Sequence, residues 1–191
     1  MTVAYGSPVF LLVAATHGEL CGRDGLVCGV GPVEAAAATA RALALRPFEA
    51  VLHVGLAGGR ELEPGTVVVG SEAVYCDLSA EWPVIERSQP DHGLVERALV
   101  AVPGAVSLPI HTSAEVGRAC DTVSQGPLVE AMEGFGVLRA AELAAVPAVE
   151  VRVVSNEIGE PDRTRWEIAQ ALEVLATTIL ALLPTFEQSS G

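Results

Sequence analysis

The sequence predicts an α/β protein, a three-layer sandwich with a mixed central β-sheet flanked by helices. Three observations carry this expectation: strand-like and helix-like segments alternate along the chain, its middle is rich in extended segments, and its first strand is continuously apolar. "PVFLLVAAT" is rich in branched residues, as a central strand covered on both faces requires, and it places Thr16 to Glu19 at its C-terminal end. A short strand is expected around Gly25 to Gly29. Pro32 near its start and an Ala-rich body then mark "GVGPVEAAAATARALALR" as a helix. "AVLHVG" reads as the next strand and "GLAGG" as the turn after it. "GTVVVGSEAVYCDL" and "AVSLPIHTS" are extended, with the helical "DHGLVERALVAV" between them. The helix "GFGVLRAAELAA" is entered directly from "VEAME", and "PAVEVRVVSN" is the last strand. In "TRWEIAQALEVLATTILALLP", Trp166, Ile168, Leu172, Leu175, Ile179 and Leu182 recur at helical spacing. One domain is therefore expected over residues 1–184, with 185–191 as a flexible tail.

A chain of 191 residues can bury a sizeable apolar core, and half its residues are hydrophobic while 18% are charged, which excludes disorder by composition. The net charge of -13 argues against nucleic acid and anionic membrane surfaces, since both require basic patches. The N-terminal "MTVAYGSPVFLLVAATHG" lacks a basic leading region and reads as a strand, not a signal peptide. Cys21, Cys28, Cys76 and Cys120 show no C-x-x-C pair, so reduced thiols in a cytoplasm are expected, with no metal site. Gly29 to Gly31 superficially suggest a dinucleotide fingerprint, but Glu34 replaces its third glycine and Pro32 intrudes; no cofactor is expected.

Ligands of α/β sheets bind outside the carboxyl ends of strands, which singles out four groups: "ATHGEL", "GLAGG", "EAMEGFG" and "SNEIGEPDR". "GLAGG" lets backbone approach a ligand closely, although a plain turn satisfies the same residues. Glu133 sits among small and apolar residues, where a carboxylate needs donors such as two adjacent hydroxyls, or else a helix N-terminus. Glu19 reads as a solvated loop acid or as a site acid. Asn156 reads as a cap or a ligand-facing amide, and Asp162 as a helix cap beside Pro161. His17 and His111 have no acidic orienter and are assigned no catalytic part.

In this order the four groups resemble the nucleoside phosphorylase and nucleosidase superfamily, most tellingly in "VLHVGLAGG" followed by "EPGTVVVGSEAVYCDL", and in "VEAMEGFGVLRAAELAAVPAVEVRVVSN". The resemblance implies a purine nucleoside as ligand, a site at the strand ends, and homo-oligomerisation. It implies that Glu133 accepts from the ribose hydroxyls with Met132 beneath the sugar, and that Glu19 activates the attacking water. Ala57 and Gly58 join the substrate site. An acid at "ATHGEL" would repel phosphate, so hydrolysis is expected over phosphorolysis. Adenine-specific members carry "SD" where this chain has "SN". Asn156 suits a 6-oxopurine, whose O6 a carboxylate would repel, and Asp162 is a weaker candidate for the proton source. Rival readings are a phosphorylase of 6-oxopurine nucleosides, an adenine nucleosidase and a silent purine-binding module. Two departures stand out: Leu56 replaces a common Ser, and "HTSAEVGRAC" lacks a base-stacking aromatic, leaving Phe135 or Trp82 to supply one.

Overall fold

The computed structural model describes residues 10–78, 80–117 and 125–187. Its elements are β1 (Leu11–Ala14), β2 (Leu26–Val27), α1 (Pro32–Leu45), β3 (Val51–Arg60), β4 (Val67–Tyr75), β5 (Arg87–Ser88), α2 (His92–Ala101), β6 (Val106–Thr112), β7 (Leu128–Ala131), α3 (Gly134–Leu143), β8 (Ala148–Glu157) and α4 (Ile168–Glu187). A 3-10 turn, Arg163–Arg165, precedes α4.

The sheet is mixed, as expected, and runs β2-β1-β3-β7-β6-β4-β5. Strand β8 lies parallel to β3 and antiparallel to β4, so β3, β7, β6, β4 and β8 close on one another. Side chains alternate across the strands and feed two helical layers. Leu12, Leu52, Val149, Val151 and Val153 face α2 and α4, where they meet Leu94, Leu175 and Ile179. Leu11, Val13, Val51 and Ala148 face α1 and α3, against Ala35, Val137 and Leu138. Inside the closed strands, Ala57, Val68, Ile110, Val129 and Val154 form a third cluster.

Three expectations are corrected. The stretch "GLAGG" is not a turn: β3 continues to Arg60 because β8 pairs with it along its length and β7 takes up pairing at Gly58 to Arg60. Residues 185–187, expected in a flexible tail, are helical, because α4 passes through Pro184 to Glu187; residues 188–191 lie outside the described residues. Proline removes one helical hydrogen bond, but Phe186, 2% exposed, packs against Phe10 with ring centroids 5.5 Å apart, and that burial offsets the loss. Finally, Cys76 is disulfide-bonded while Cys21 and Cys28 are free, since linear spacing does not report which cysteines a sheet brings together. Cys120 lies outside the described residues.

Helix α4 serves two purposes along one apolar stripe. Its outer end and the turn before it bring Trp166, Ile168 and Leu172 to a cleft, while Leu175, Ile179 and Leu182 are fully buried in the core. Leu175→Ala is expected to lower unfolding free energy by about 2–5 kcal/mol, the cost of a core cavity. Leu180→Ala, on the 51% exposed face, is expected to change it by less than about 0.5 kcal/mol. Urea unfolding of the two variants checks the contrast.

Candidate active site

A cleft of about 310 Å³ opens where β1, β3 and β8 end, with the passage from β7 to α3 as a further wall. The loop after β1 supplies Glu19. Its Oε2 accepts from the Thr16 backbone N–H at 3.0 Å and the Thr16 hydroxyl at 2.8 Å. Its Oε1 accepts from the backbone N–H of Leu56 at 3.0 Å. Leu56, which lacks the hydroxyl of a serine, therefore still orients the acid through its main chain.

Glu133 is 4% exposed and stands at the N-cap position of α3, yet its side chain makes no capping bond. Instead Oε1 accepts from Gly31 N–H at 3.1 Å, and Oε2 accepts from Arg152 Nη2 at 3.2 Å. Each oxygen keeps lone-pair capacity for a donor in the cleft. The helix-terminus reading of this residue is thus replaced by a buried, cleft-lining carboxylate.

Arg152 comes from β8, two residues after Glu150 and on the same face of the strand. Its Nε donates to Glu150 Oε1 at 2.8 Å, Nη1 to the Leu56 carbonyl at 3.3 Å, and Nη2 to both Glu133 and His53. Gly55 pairs directly with Arg152 across the strands. A Cβ there would fall 2.2 Å from Nη1 and 2.8 Å from Glu19 Oε1, so glycine is required by close approach. Burial opposes the charge on Arg152, but Glu150, Glu133 and Glu19 overcome it and hold the guanidinium above its ordinary pKa. Burial pushes Glu150 up, against the lowering influence of Arg152. Burial and the charge of Glu133 push the Cys28 thiol up to about 12, which leaves it protonated and a poor nucleophile.

At the far wall the β3–β8 register shifts between Ala57 and Gly58, so Gly58 pairs with Asn156 and Ser155 is left between partners. Such a bulge re-aims side chains, and here Ser155 and Asn156 both line the cleft. The Ser155 hydroxyl donates to Asn156 Oδ1 at 2.8 Å, and Asn156 Nδ2 donates to the Glu157 carbonyl at 3.0 Å. These contacts fix the amide's direction and leave it one N–H and one lone pair for a ligand.

Of the residues expected from sequence, Glu19, Ala57, Gly58, Met132, Glu133 and Asn156 converge on this cleft. Phe135 does not. Two residues into α3, it turns to a separate apolar groove, its ring stacked on Tyr75 with centroids 5.0 Å apart. Trp82 is 70% exposed and also absent from the lining, whereas Trp166 lines it. Asp162 caps the 3-10 turn: Oδ1 accepts from Thr164 N–H at 3.0 Å and Thr164 Oγ1 at 2.7 Å. Those bonds hold its pKa below the usual carboxylate value, the opposite of what a proton donor needs. Sequence reasoning missed Arg152, Ser155 and Trp166. The signal for the first was present in "VEVRV", where two opposite charges two residues apart interrupt an otherwise apolar buried strand.

A model of the phosphorylase superfamily matches residues 11–186, and the chain belongs to that superfamily. The futalosine hydrolase of Streptomyces coelicolor is 37% identical over 189 residues, spanning 87% of this chain and 80% of the relative. That of Thermus thermophilus is 30% identical over 179 residues, 83% of this chain and 80% of the relative. Within the superfamily this chain is an N-glycosidase of the methylthioadenosine nucleosidase and futalosine hydrolase family. The fold is also that of a methylthioadenosine/S-adenosylhomocysteine nucleosidase from Colwellia psychrerythraea in complex with adenine, with a TM-score of 0.81, 21% identity and coverage of 95% of this chain and 96% of that one. A futalosine hydrolase mutant of Helicobacter pylori gives a TM-score of 0.81 at 15% identity, covering 92% of this chain and 98% of that one.

Two outcomes test this geometry. Asp162→Asn is expected to leave turnover within about twofold of wild type, because an exposed cap contributes little to the cleft. Gly55→Ala is expected to lower turnover about 100-fold through displacement of Arg152 and Glu19, with cooperative unfolding retained. Steady-state rates and thermal melts of both variants provide the check.

Proposed function

We propose that this protein hydrolyses the N-glycosidic bond of futalosine, releasing hypoxanthine and dehypoxanthine futalosine, a step of menaquinone biosynthesis. The observation that carries the reading is the set of polar side chains that line one cleft: two carboxylates, Glu19 and Glu133, and an amide, Asn156. Among the described residues that line the cleft there is no lysine or arginine to receive a phosphate anion, which favours water as the nucleophile. The names of the 37% and 30% identical relatives support the same substrate.

Glu19, oriented by Thr16 and Leu56, takes a proton from water as it attacks the anomeric carbon. Glu133 holds the ribose hydroxyls, and its charge favours the oxocarbenium-like sugar that forms as the base departs. As the N9–C1′ bond breaks, its electron pair leaves with the base, which takes a proton from solvent water at N7; Asn156 donates its remaining N–H to O6 of hypoxanthine and accepts from that N7–H. A mismatched buried donor or acceptor costs about 1–3 kcal/mol, enough to disfavour adenine at this position. Trp166 offers the aromatic face. Basic groups are scarce in this chain, and Arg87, Arg163 and Arg165 are three candidates for the carboxylate of the futalosine tail. Arg87 is engaged with Glu72 and Arg165 with Glu160, whereas Arg163 lies over the Trp166 ring, 5.4 Å from its centroid. Arg163 is the best placed of the three. The enzyme is read as a cytoplasmic homo-oligomer that requires no cofactor.

The test is to offer futalosine, inosine and methylthioadenosine, each with and without phosphate, and to identify the released base. Hypoxanthine from futalosine without phosphate is expected, and Glu19→Gln is expected to lower that rate by at least about 100-fold while substrate still binds. Phosphate-dependent release, or adenine release from methylthioadenosine in preference, would replace the reading.

A further inference from the structure

Two residues behind the cleft have no place in the chemistry above. His53 is fully buried on β3 and Glu150 is 1% exposed on β8, and the two are direct partners in the strand register. With Gly55 and Arg152, the next pair on the same face, they make a square of four positions turned toward the start of α3. The square is polar in a layer that is otherwise Leu11, Val13, Val51 and Ala148. Ionisable groups so placed are costly unless they are matched by partners.

The partners are specific. His53 Nδ1 lies 3.2 Å from the Val13 carbonyl oxygen, which can only accept, so Nδ1 carries the hydrogen. Nε2 is then a lone pair, and Arg152 Nη2 donates to it at 2.5 Å. This assignment makes His53 a neutral imidazole of fixed tautomer, and it agrees with burial and Arg152 driving its pKa well down. Glu150 Oε1 takes the Arg152 Nε hydrogen, while Oε2 is buried with no hydrogen-bond partner among the described residues. That second oxygen lies against Gly134, the first residue of α3, where a Cβ would fall within 2.5 Å of both carboxylate oxygens. The first turn of α3 therefore packs beside this carboxylate. A guanidinium has five N–H donors in a rigid plane, and two of those used by Arg152 go to Glu150 and His53. Those two contacts fix the plane's position and tilt. The remaining assigned donors reach Glu133 Oε2 and the Leu56 carbonyl, one peptide from the N–H that orients Glu19.

We propose that His53 and Glu150 are positioning residues that fix the Arg152 guanidinium, and through it set the cleft-facing geometry of Glu133 and of the Leu56 peptide that orients Glu19. Neither touches the cleft, and neither is a catalytic residue. The proposal rests on the reading of Glu133 and Glu19 as sugar and water carboxylates. Exchange of either residue for an apolar one of similar size is then expected to cost turnover, because Arg152 would keep its charge and lose its alignment.

The test compares paired substitutions in the full-length protein. His53→Asn keeps a donor for Val13 but cannot reach Arg152, whereas His53→Gln presents an acceptor near the place of Nε2. Glu150→Leu removes the acceptor for Arg152 Nε, and Glu150→Gln restores one. Expected is a fall in kcat of about 10- to 100-fold for the Asn and Leu variants, with the Gln variants recovering most of it and hypoxanthine affinity within about twofold of wild type throughout. Rates are taken on whichever of futalosine, inosine or methylthioadenosine the wild-type protein cleaves, so a wrong substrate assignment does not obscure the ratio. A folded His53→Asn with wild-type kcat would overturn the proposal. So would Gln variants as impaired as their partners, or hypoxanthine affinity lost in step with kcat, since both mark general structural damage. Should Glu150→Leu fail to fold, wild-type kcat in His53→Asn or loss of activity without rescue in Glu150→Gln still decides against it.

Discussion

Arg152 holds its charge with 1% of its side chain exposed, beneath a cleft whose two working carboxylates come from distant parts of the chain. Its ion pairs with Glu133, at 3.2 Å, and Glu150, at 2.8 Å, are both buried. An isolated buried charge would be severely destabilising, so each member of this cluster makes the others tolerable. The strand register is what allows the arrangement: Gly55 stands opposite Arg152 and yields its side-chain space to the guanidinium, and Gly134 yields space to Glu150. Two glycines, two carboxylates, one imidazole and one guanidinium thus form one buried, hydrogen-bonded unit.

The unit also links fold to chemistry. Strand β8 enters it through Glu150 and Arg152, continues as a core strand facing both layers, and then bulges at Ser155 to deliver Asn156 to the cleft. Strand β3 enters it through His53 and Gly55 and continues into Leu56, Ala57 and Gly58, which line the same cleft. In the proposed reaction, water, sugar and base are addressed from a two-strand platform, with the β1 loop and the start of α3 supplying the acids. Sites built on strands hold their geometry more tightly than sites on loops, and the one loop acid, Glu19, is tied to β3 through the Leu56 N–H.

Much of the fold was legible because the core strands are apolar runs and the helices carry stripes at helical spacing, as in Leu175, Ile179 and Leu182. The carboxylates Glu19 and Glu133 and the amide Asn156 were legible as polar residues at strand ends. What escaped has a common physical cause: it depends on which residues the sheet makes neighbours. "GLAGG" looks like a turn until β7 and β8 are seen to supply its hydrogen bonds. Phe135 follows Glu133 closely in sequence, yet a helix turns side chains two positions apart to different faces, and its ring faces Tyr75 instead of the cleft. Trp166 looked like the first member of a core stripe and lines the cleft because α4 begins only at Ile168. His53 gave no signal by itself; only the pairing of β3 with β8 reveals its partner.

The central claim is that the Arg152 charge holds Glu133 and Glu150 in place, and unfolding of Arg152→Met as a function of pH tests it directly. Burial already raises the folded-state pKa of Glu150 and Arg152 opposes that rise, so without the guanidinium the native state is favoured with Glu150 protonated and loses stability as pH rises through the raised value. The account predicts a variant about 3–5 kcal/mol less stable than wild type at pH 8, with part of that deficit recovered at pH 5.5. Wild-type stability at pH 8, or a deficit that does not change between the two pH values, would contradict it.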